Sequence, residues 1–126
     1  MARYLTEDQA AADGFQIVHE PDTSNFFVVH TAADGTASSV GSAHYTLRGE
    51  AATGGDAAAA AAAGSIDFDS TVVDPAYRGT GLSGLLAHRA VTDEIVRGRH
   101  VRASCWFIEG YLARHPELLA EAGALA

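Results

Sequence analysis

The feature that most constrains this chain is the run of residues 72–86, VVDPAYRGTGLSGLL, in which an apolar strand passes through a glycine-rich turn into a helix. The first turn of a helix presents backbone N–H groups without intrahelical partners, at the positive end of the helix dipole. Glycines at positions 79, 81 and 84 permit positive φ angles and let a bulky anion approach the main chain. The run therefore predicts a phosphate-binding turn.

The residues around the glycines narrow the choice of ligand. Arg78 adds a fixed positive charge at the rim of the turn. The turn lacks the Lys-Ser/Thr ending of a nucleotide P-loop, and we do not expect the glycine spacing of a dinucleotide-binding fold, so neither ATP nor NAD is the favoured ligand. The alternative is a plain strand-to-helix turn, in which the glycines serve tight geometry and Arg78 is solvated.

Residues 78–83, RGTGLS, resemble the Arg/Gln-x-x-Gly-x-Gly/Ala loop by which acetyltransferases of the GNAT superfamily bind the pyrophosphate of acetyl-CoA. Residues 70–75 and 105–117 are similar to the minimal, stand-alone branch of that superfamily, the YjdJ-type N-acetyltransferase domains. The chain departs from the pattern at Ser83, where the loop has Gly or Ala, and at Ser70, where that branch has His. The resemblance implies acetyl-CoA as co-substrate, bound by Val72, Val73, Arg78, Gly79, Thr80, Gly81, Leu82, Ser83 and Gly84.

Composition excludes several classes of partner. Eight Lys and Arg against sixteen acids give a net charge of -8, so we expect no nucleic-acid binding. We expect no membrane segment, because no apolar run is long enough to span. The spacing of the histidines and the single cysteine, Cys105, does not match a metal site. A lone thiol and an acidic amino terminus favour the cytoplasm.

The 126 residues predict a single domain over 1–126 with an α/β (α+β) fold. Alternating and apolar segments predict four strands, then a helix, a strand and a last helix bent near Pro116, at 15–19, 26–30, 40–47, 65–73, 82–98, 101–106 and 107–122. We expect residues 48–64, with seven consecutive alanines, to be a surface connection or, alternatively, a lid over the site. The resemblance implies a mainly antiparallel, splayed GNAT-like sheet, with the acetyl group held between residues 71–73 and 103–106.

Three residues are candidates for the chemistry of acetyl transfer. Tyr111 lies where many GNAT enzymes carry the tyrosine that protonates the leaving thiolate, although it also fits a core position. Cys105 either accepts the acetyl group itself or is a buried packing residue. His115 is a candidate general base, with His44 as the alternative.

The resemblance predicts an N-acetyltransferase that acts on a small amine or a protein amino group. The chain lacks an evident pair of helices between its first two strands, where larger members build much of the acceptor site. The alternative is therefore a non-catalytic acetyl-CoA sensor, or a subunit whose partner completes the acceptor pocket. A protein adaptor that has lost acetyl-CoA binding is the third possibility, which the intact glycines disfavour.

Overall fold

The structure is a computed structural model that describes residues 4–49, 64–77, 79–97 and 99–117. Arg78 and nearly all of the 48–64 connection lie outside the described residues. The chain divides into two units. Unit 1 comprises Met1–His44 and Thr71–Ala90, and unit 2 comprises Tyr45–Ser70 and Val91–Ala126.

Five strands form one mixed sheet in the order β1-β2-β3-β4-β5. The strands are β1 Phe15–Glu20, β2 Asn25–Thr31, β3 Ala37–Arg48, β4 Ser65–Val73 and β5 His100–Ala103. The helices are α1 Glu7–Ala12, α2 Leu82–Thr92 and α3 Trp106–Arg114. The α/β class and the four predicted strands before α2 are confirmed. β1 pairs antiparallel with β2, and β2 with β3, whereas β4 and β5 are parallel.

Helix α1 is absent from the sequence-based prediction. Thr6 caps it, because its side chain accepts a hydrogen bond from the Gln9 amide at 3.1 Å, while the Gln9 side chain accepts one from the Leu5 amide at 2.8 Å. Glu7 and Asp8 occupy its first turn, where negative charge is favourable. Thr6 and Gln9 have the spacing of a capping box, and this signal predicts the helix start.

The predicted strand 101–106 is wrong at its end. β5 stops at Ala103 because Asp67 of β4 turns the chain there: its carboxylate accepts hydrogen bonds from the Ser104 amide at 2.8 Å and the Ser104 hydroxyl at 2.7 Å. Helix α3 then begins at Trp106, with Cys105 as its N-cap. The pairing of β4 with β5 covers only Ser65–Phe68, while β4 continues to Val73.

The core of unit 1 follows the period of two expected for a sheet with one buried face. Ile17 on β1 and Val28 on β2 are register partners, and both are buried. One face of α2 is buried as well, through Leu82, Leu86, Ala87 and Ala90. The core of unit 2 contains Tyr45 and Phe68, whose rings meet edge to face with centroids 6.3 Å apart. Ile108, Tyr111 and Leu112 of α3 are buried in unit 2.

Phe26 and Phe27 are adjacent on β2 and point to opposite faces. Phe26 is fully buried and Phe27 is half-buried. We expect Phe26→Ala to lower the free energy of unfolding by about 3–5 kcal/mol, because it leaves a cavity in the core. The matched control Phe27→Ala should lower it by a much smaller amount. Urea denaturation measures both, and equal losses would contradict the assigned buried face.

Candidate functional site

The glycine loop, residues 79–84, begins after a fixed turn at the end of β4. The Asp74 amide donates to the Val40 carbonyl at 2.8 Å, and the Asp74 carboxylate accepts a hydrogen bond from the Ala76 amide at 2.9 Å. A short 3-10 helix, Pro75–Tyr77, follows. These contacts set the direction in which the chain leaves the sheet.

Two glycines in this loop adopt a backbone conformation that disfavours a side chain at their positions. Gly79 has φ +79° and Gly81 has φ +88°, a conformation that L residues adopt at a cost. A Cβ atom at Gly81 would also collide with the Tyr4 carbonyl oxygen. Among the residues that the structure describes, no atom outside the adjoining chain lies within 4 Å of a Cβ built at Gly79 or at Gly84. The main chain is therefore open at these two positions, where a bulky anion would approach it.

The start of α2 leaves amide donors available. The first intrahelical hydrogen bond runs from the Leu85 amide to the Gly81 carbonyl at 3.1 Å, so the amides of residues 82–84 precede it. The Thr80 hydroxyl donates to the Tyr77 carbonyl and accepts a long hydrogen bond of 3.4 Å from the Leu82 amide. Thr80 and the Leu82 side chain are buried. The amides of Ser83 and Gly84 remain as the donors best placed for a pyrophosphate.

Val72 and Val73, the other two residues predicted to bind acetyl-CoA, lie at the end of β4. The Val72 side chain is 64% exposed, and Val73 is half-buried. Gly41 of β3 lies beside them: a Cβ at Gly41 would be 3.2 Å from both the Val72 carbonyl oxygen and the Val73 Cγ2.

In unit 2, Cys105 is held at the first turn of α3. Its amide donates to the Phe68 carbonyl at 3.0 Å, and its carbonyl accepts the first helical hydrogen bond, from Glu109, at 2.9 Å. Its side chain makes no capping hydrogen bond, is half-buried and is not in a disulfide. Asp67, which the sequence did not indicate, positions this turn through Ser104.

Tyr111 and His115 lie together on the last turns of α3, with ring centroids 4.5 Å apart. Burial raises the pKa of Tyr111 above its ordinary value, the negative charge of Glu117 adds to this, and Arg114 opposes it. The phenol is therefore protonated at neutral pH. His115 Nδ1 lies 3.3 Å from the Glu117 carboxylate. Six residues of helix separate Cys105 from Tyr111, about 9 Å along the axis, so the thiol and the phenol are at different levels of α3.

In the described part of the chain, no group of three or more His, Cys, Asp or Glu side chains could hold a metal ion. None of the helices described there is long and apolar enough to cross a membrane.

The glycine spacing is shared with a second class of loop. Gly79, Gly81 and Gly84 also fit the G-x-G-x-x-G spacing of dinucleotide-binding folds, and the parallel strands β4 and β5 flank α2 as in such folds. Those folds place a carboxylate on the ribose, about 20 residues after the loop. In this chain Ala103, Ser104 and Cys105 stand at the end of β5. The expectation that the glycine spacing differs from that of dinucleotide-binding folds is therefore wrong, and the missing carboxylate is what disfavours a dinucleotide.

Comparisons with known proteins identify a family. The sequence model of the GCN5-related N-acetyl-transferase family matches residues 27–122. Among solved structures, a mutant of the AtaT toxin is similar with a TM-score of 0.41 and 12% identity, over 69% of this chain and 57% of that one. A search of curated protein sequences finds no significant match.

Alanine substitutions at Gly81 and Gly84 should change the free energy of unfolding in opposite directions. We expect Gly81→Ala to lower the free energy of unfolding by about 2 kcal/mol or more, because of its positive φ and the collision with Tyr4. Gly84→Ala, on open helix, should raise it by about 0.5–1 kcal/mol. Chemical denaturation of both variants is the measurement. A Gly81→Ala protein as stable as the parent would disprove the loop conformation.

Proposed function

This chain belongs to the GCN5-related N-acetyltransferase family, and on that premise we propose that it moves an acetyl group from acetyl-CoA to an amine. The acceptor is a small amine or an amino group of a protein. The observation that carries the proposal is the glycine loop. Its main chain is open at Gly79 and Gly84, and the amides at the start of α2 come before the first intrahelical hydrogen bond. A single cysteine favours the cytoplasm as the place of the reaction.

The loop residues fit the pyrophosphate of the donor. The amides of Ser83 and Gly84 donate to its oxygens, and the positive end of the α2 dipole favours its charge. Gly79 and Gly84 leave room for phosphate oxygens because neither has a side chain. Arg78, which lies outside the described residues, supplies a charged hydrogen bond in this proposal.

In the reaction, the amine nitrogen attacks the thioester carbonyl carbon, a C–N bond forms and the C–S bond breaks. Main-chain groups at Val72 and Val73 polarise the carbonyl. Tyr111 gives its proton to the departing thiolate, for which its raised pKa keeps the proton available. His115 is the candidate base that takes the proton of the attacking amine. If Cys105 acts, it first takes the acetyl group as a thioester and then passes it to the amine.

The connection between β1 and β2 favours a second candidate function. This fully described stretch contains only the 3-10 helix Pro21–Thr23, where larger members of the superfamily carry a pair of helices. The alternative is a protein that binds acetyl-CoA without efficient transfer, as a sensor or as a subunit that needs a partner. Binding of acetyl-CoA with no turnover on a panel of amines would favour this alternative.

Calorimetric titration tests the donor site. We expect micromolar binding of acetyl-CoA at moderate salt and no binding of ATP or NAD. Arg78→Glu should weaken acetyl-CoA about tenfold or more, because a charged contact is lost and a repulsion is added. The matched control Arg97→Glu, at an exposed position distant in sequence from the loop, should have a much smaller effect. Failure of the parent protein to bind acetyl-CoA would refute the proposal.

Replacing Tyr111 tests its role as proton donor. With an amine that is acetylated, Tyr111→Phe should lower kcat by about 10²–10⁴-fold and leave KM for acetyl-CoA unchanged. Since the pKa of Tyr111 is raised from its ordinary 10.0, the phenol loses its proton only above pH 10, and kcat in the parent should decline on that alkaline side.

The control for this test is Tyr45→Phe, which removes another buried phenol whose pKa is raised by burial. It should leave kcat near the parent value. Equal losses of kcat and acetyl-CoA binding in Tyr111→Phe would assign Tyr111 a structural role instead. The raised pKa of Tyr111 also means that the folded protein holds the phenol proton more tightly than the unfolded chain does. This contribution to the free energy of unfolding is fully present at neutral pH and is lost as pH rises above about 10.

A further inference from the structure

We propose that the amino-terminal segment Tyr4–Asp13, termed the brace, holds the glycine loop in its anion-binding conformation, with Tyr4 as a positioning residue for the donor's pyrophosphate. This inference rests on the proposed function of the loop. It concerns unit 1 alone, because the brace, the loop and α2 up to Ala90 all belong to that unit.

The main chain of Tyr4 touches the peptide that joins Thr80 to Gly81. The Tyr4 amide donates to the Thr80 carbonyl at 2.6 Å, and the Tyr4 carbonyl oxygen occupies the space where a Gly81 side chain would be. In a trans peptide the carbonyl and the following N–H point in opposite directions. Because Tyr4 holds the Thr80 carbonyl, the Gly81 amide hydrogen points away from the brace. It thereby joins the following amides as a donor for an anion.

The Tyr4 side chain fixes the brace to the sheet. It is 8% exposed, and its ring lies 5.4 Å from the ring of Phe15 on β1. Phe15 in turn meets Tyr77 edge to face at 5.4 Å, directly before the loop. The Tyr4 hydroxyl donates to the Asp13 carboxylate at 2.6 Å, and this hydrogen bond is the main cause of a raised pKa at Tyr4. The rings therefore connect the brace to Tyr77, on the strand side of the turn.

Helix α1 supplies a second attachment, at the other end of α2. Arg89 in the last turn of α2 forms an ion pair with Glu7 at 2.7 Å. Both side chains are more than a third exposed, so solvent screens the pair and its contribution to stability is small. It gives the brace a contact with α2 in addition to the contact of Tyr4 with Thr80.

The loop needs such an external contact because its own sequence makes it adaptable. Gly79 and Gly81 have more accessible backbone conformations than other residues, and none of the described residues packs where a Gly79 side chain would be. A donor that binds a loop already held in one conformation avoids the entropic cost of ordering it. Loss of the Tyr4 contact should therefore appear as weaker binding of the pyrophosphate.

The test compares CoA with pantetheine, which has the same thiol arm and no pyrophosphate. In calorimetric titrations of the full chain, Tyr4→Ala should weaken CoA about tenfold and leave pantetheine binding, measured at millimolar concentration, unchanged. Tyr4→Phe keeps the ring and the main chain and loses only the hydroxyl, so it should weaken CoA about threefold. Leu5→Ala, at a neighbouring side chain that is 71% exposed, is the matched control and should bind both ligands like the parent.

A second variant keeps the test decisive if Tyr4→Ala does not fold. Asp13→Ala removes the acceptor of the Tyr4 hydroxyl from an exposed position and should weaken CoA about threefold, again without an effect on pantetheine. Unchanged CoA binding in folded Tyr4 and Asp13 variants would overturn the brace alone. Equal weakening of CoA and pantetheine would overturn it in favour of a general structural role. A parent protein that binds CoA no better than pantetheine would instead refute the proposed function of the loop.

Discussion

The left-handed backbone at Gly79 and Gly81 is the constraint on which the rest of unit 1 depends. It lets the chain pass from β4 into α2 within eight residues, 74–81, and the Gly81 carbonyl then accepts a hydrogen bond from the Leu85 amide in the first turn of α2. It also brings the Thr80–Gly81 peptide against Tyr4, where a side chain at position 81 has no space. The amino-terminal segment, β1 and the start of α2 are thus coupled through contacts around this one turn.

In unit 2 a comparable constraint comes from two adjacent residues of β4. The Asp67 carboxylate binds Ser104, and the Phe68 carbonyl accepts from the Cys105 amide. Together they end β5 and start α3, which places Cys105 at one level of the helix and Tyr111 at another. The proposed role of Cys105 as nucleophile and the proposed role of Tyr111 as proton donor are therefore independent of each other, and either role can fail without the other.

Local patterns predicted most of the fold, because alternation and glycine turns act over a few residues. The paired strands β1 and β2 and the start of the helix after the glycine loop followed from such patterns, whereas the predicted end of this helix near residue 98 is wrong, because it stops at Thr92. The features that these patterns did not predict depend on partners distant in the sequence. Asp67 shortens β5 through its hydrogen bonds with Ser104, and nothing near Tyr4 indicates that it meets Thr80. Helix α1 is different, since its capping signal was present at Thr6 and Gln9. The roles of Cys105, Tyr111 and His115 remain predictions.

The brace has a consequence for the order of folding. β1, β2 and β3 pair as neighbouring hairpins with short loops, whereas Glu7 and Arg89 are 82 residues apart. Contacts of high sequence separation require closure of a long loop, so we expect them to form late and to open early under mild stress. During synthesis, the three hairpin strands can pair before the glycine loop has been made. On the proposed role of the brace, competence to bind an anion then arises among the last events of folding, and local unfolding at the amino terminus removes it while the sheet is still intact.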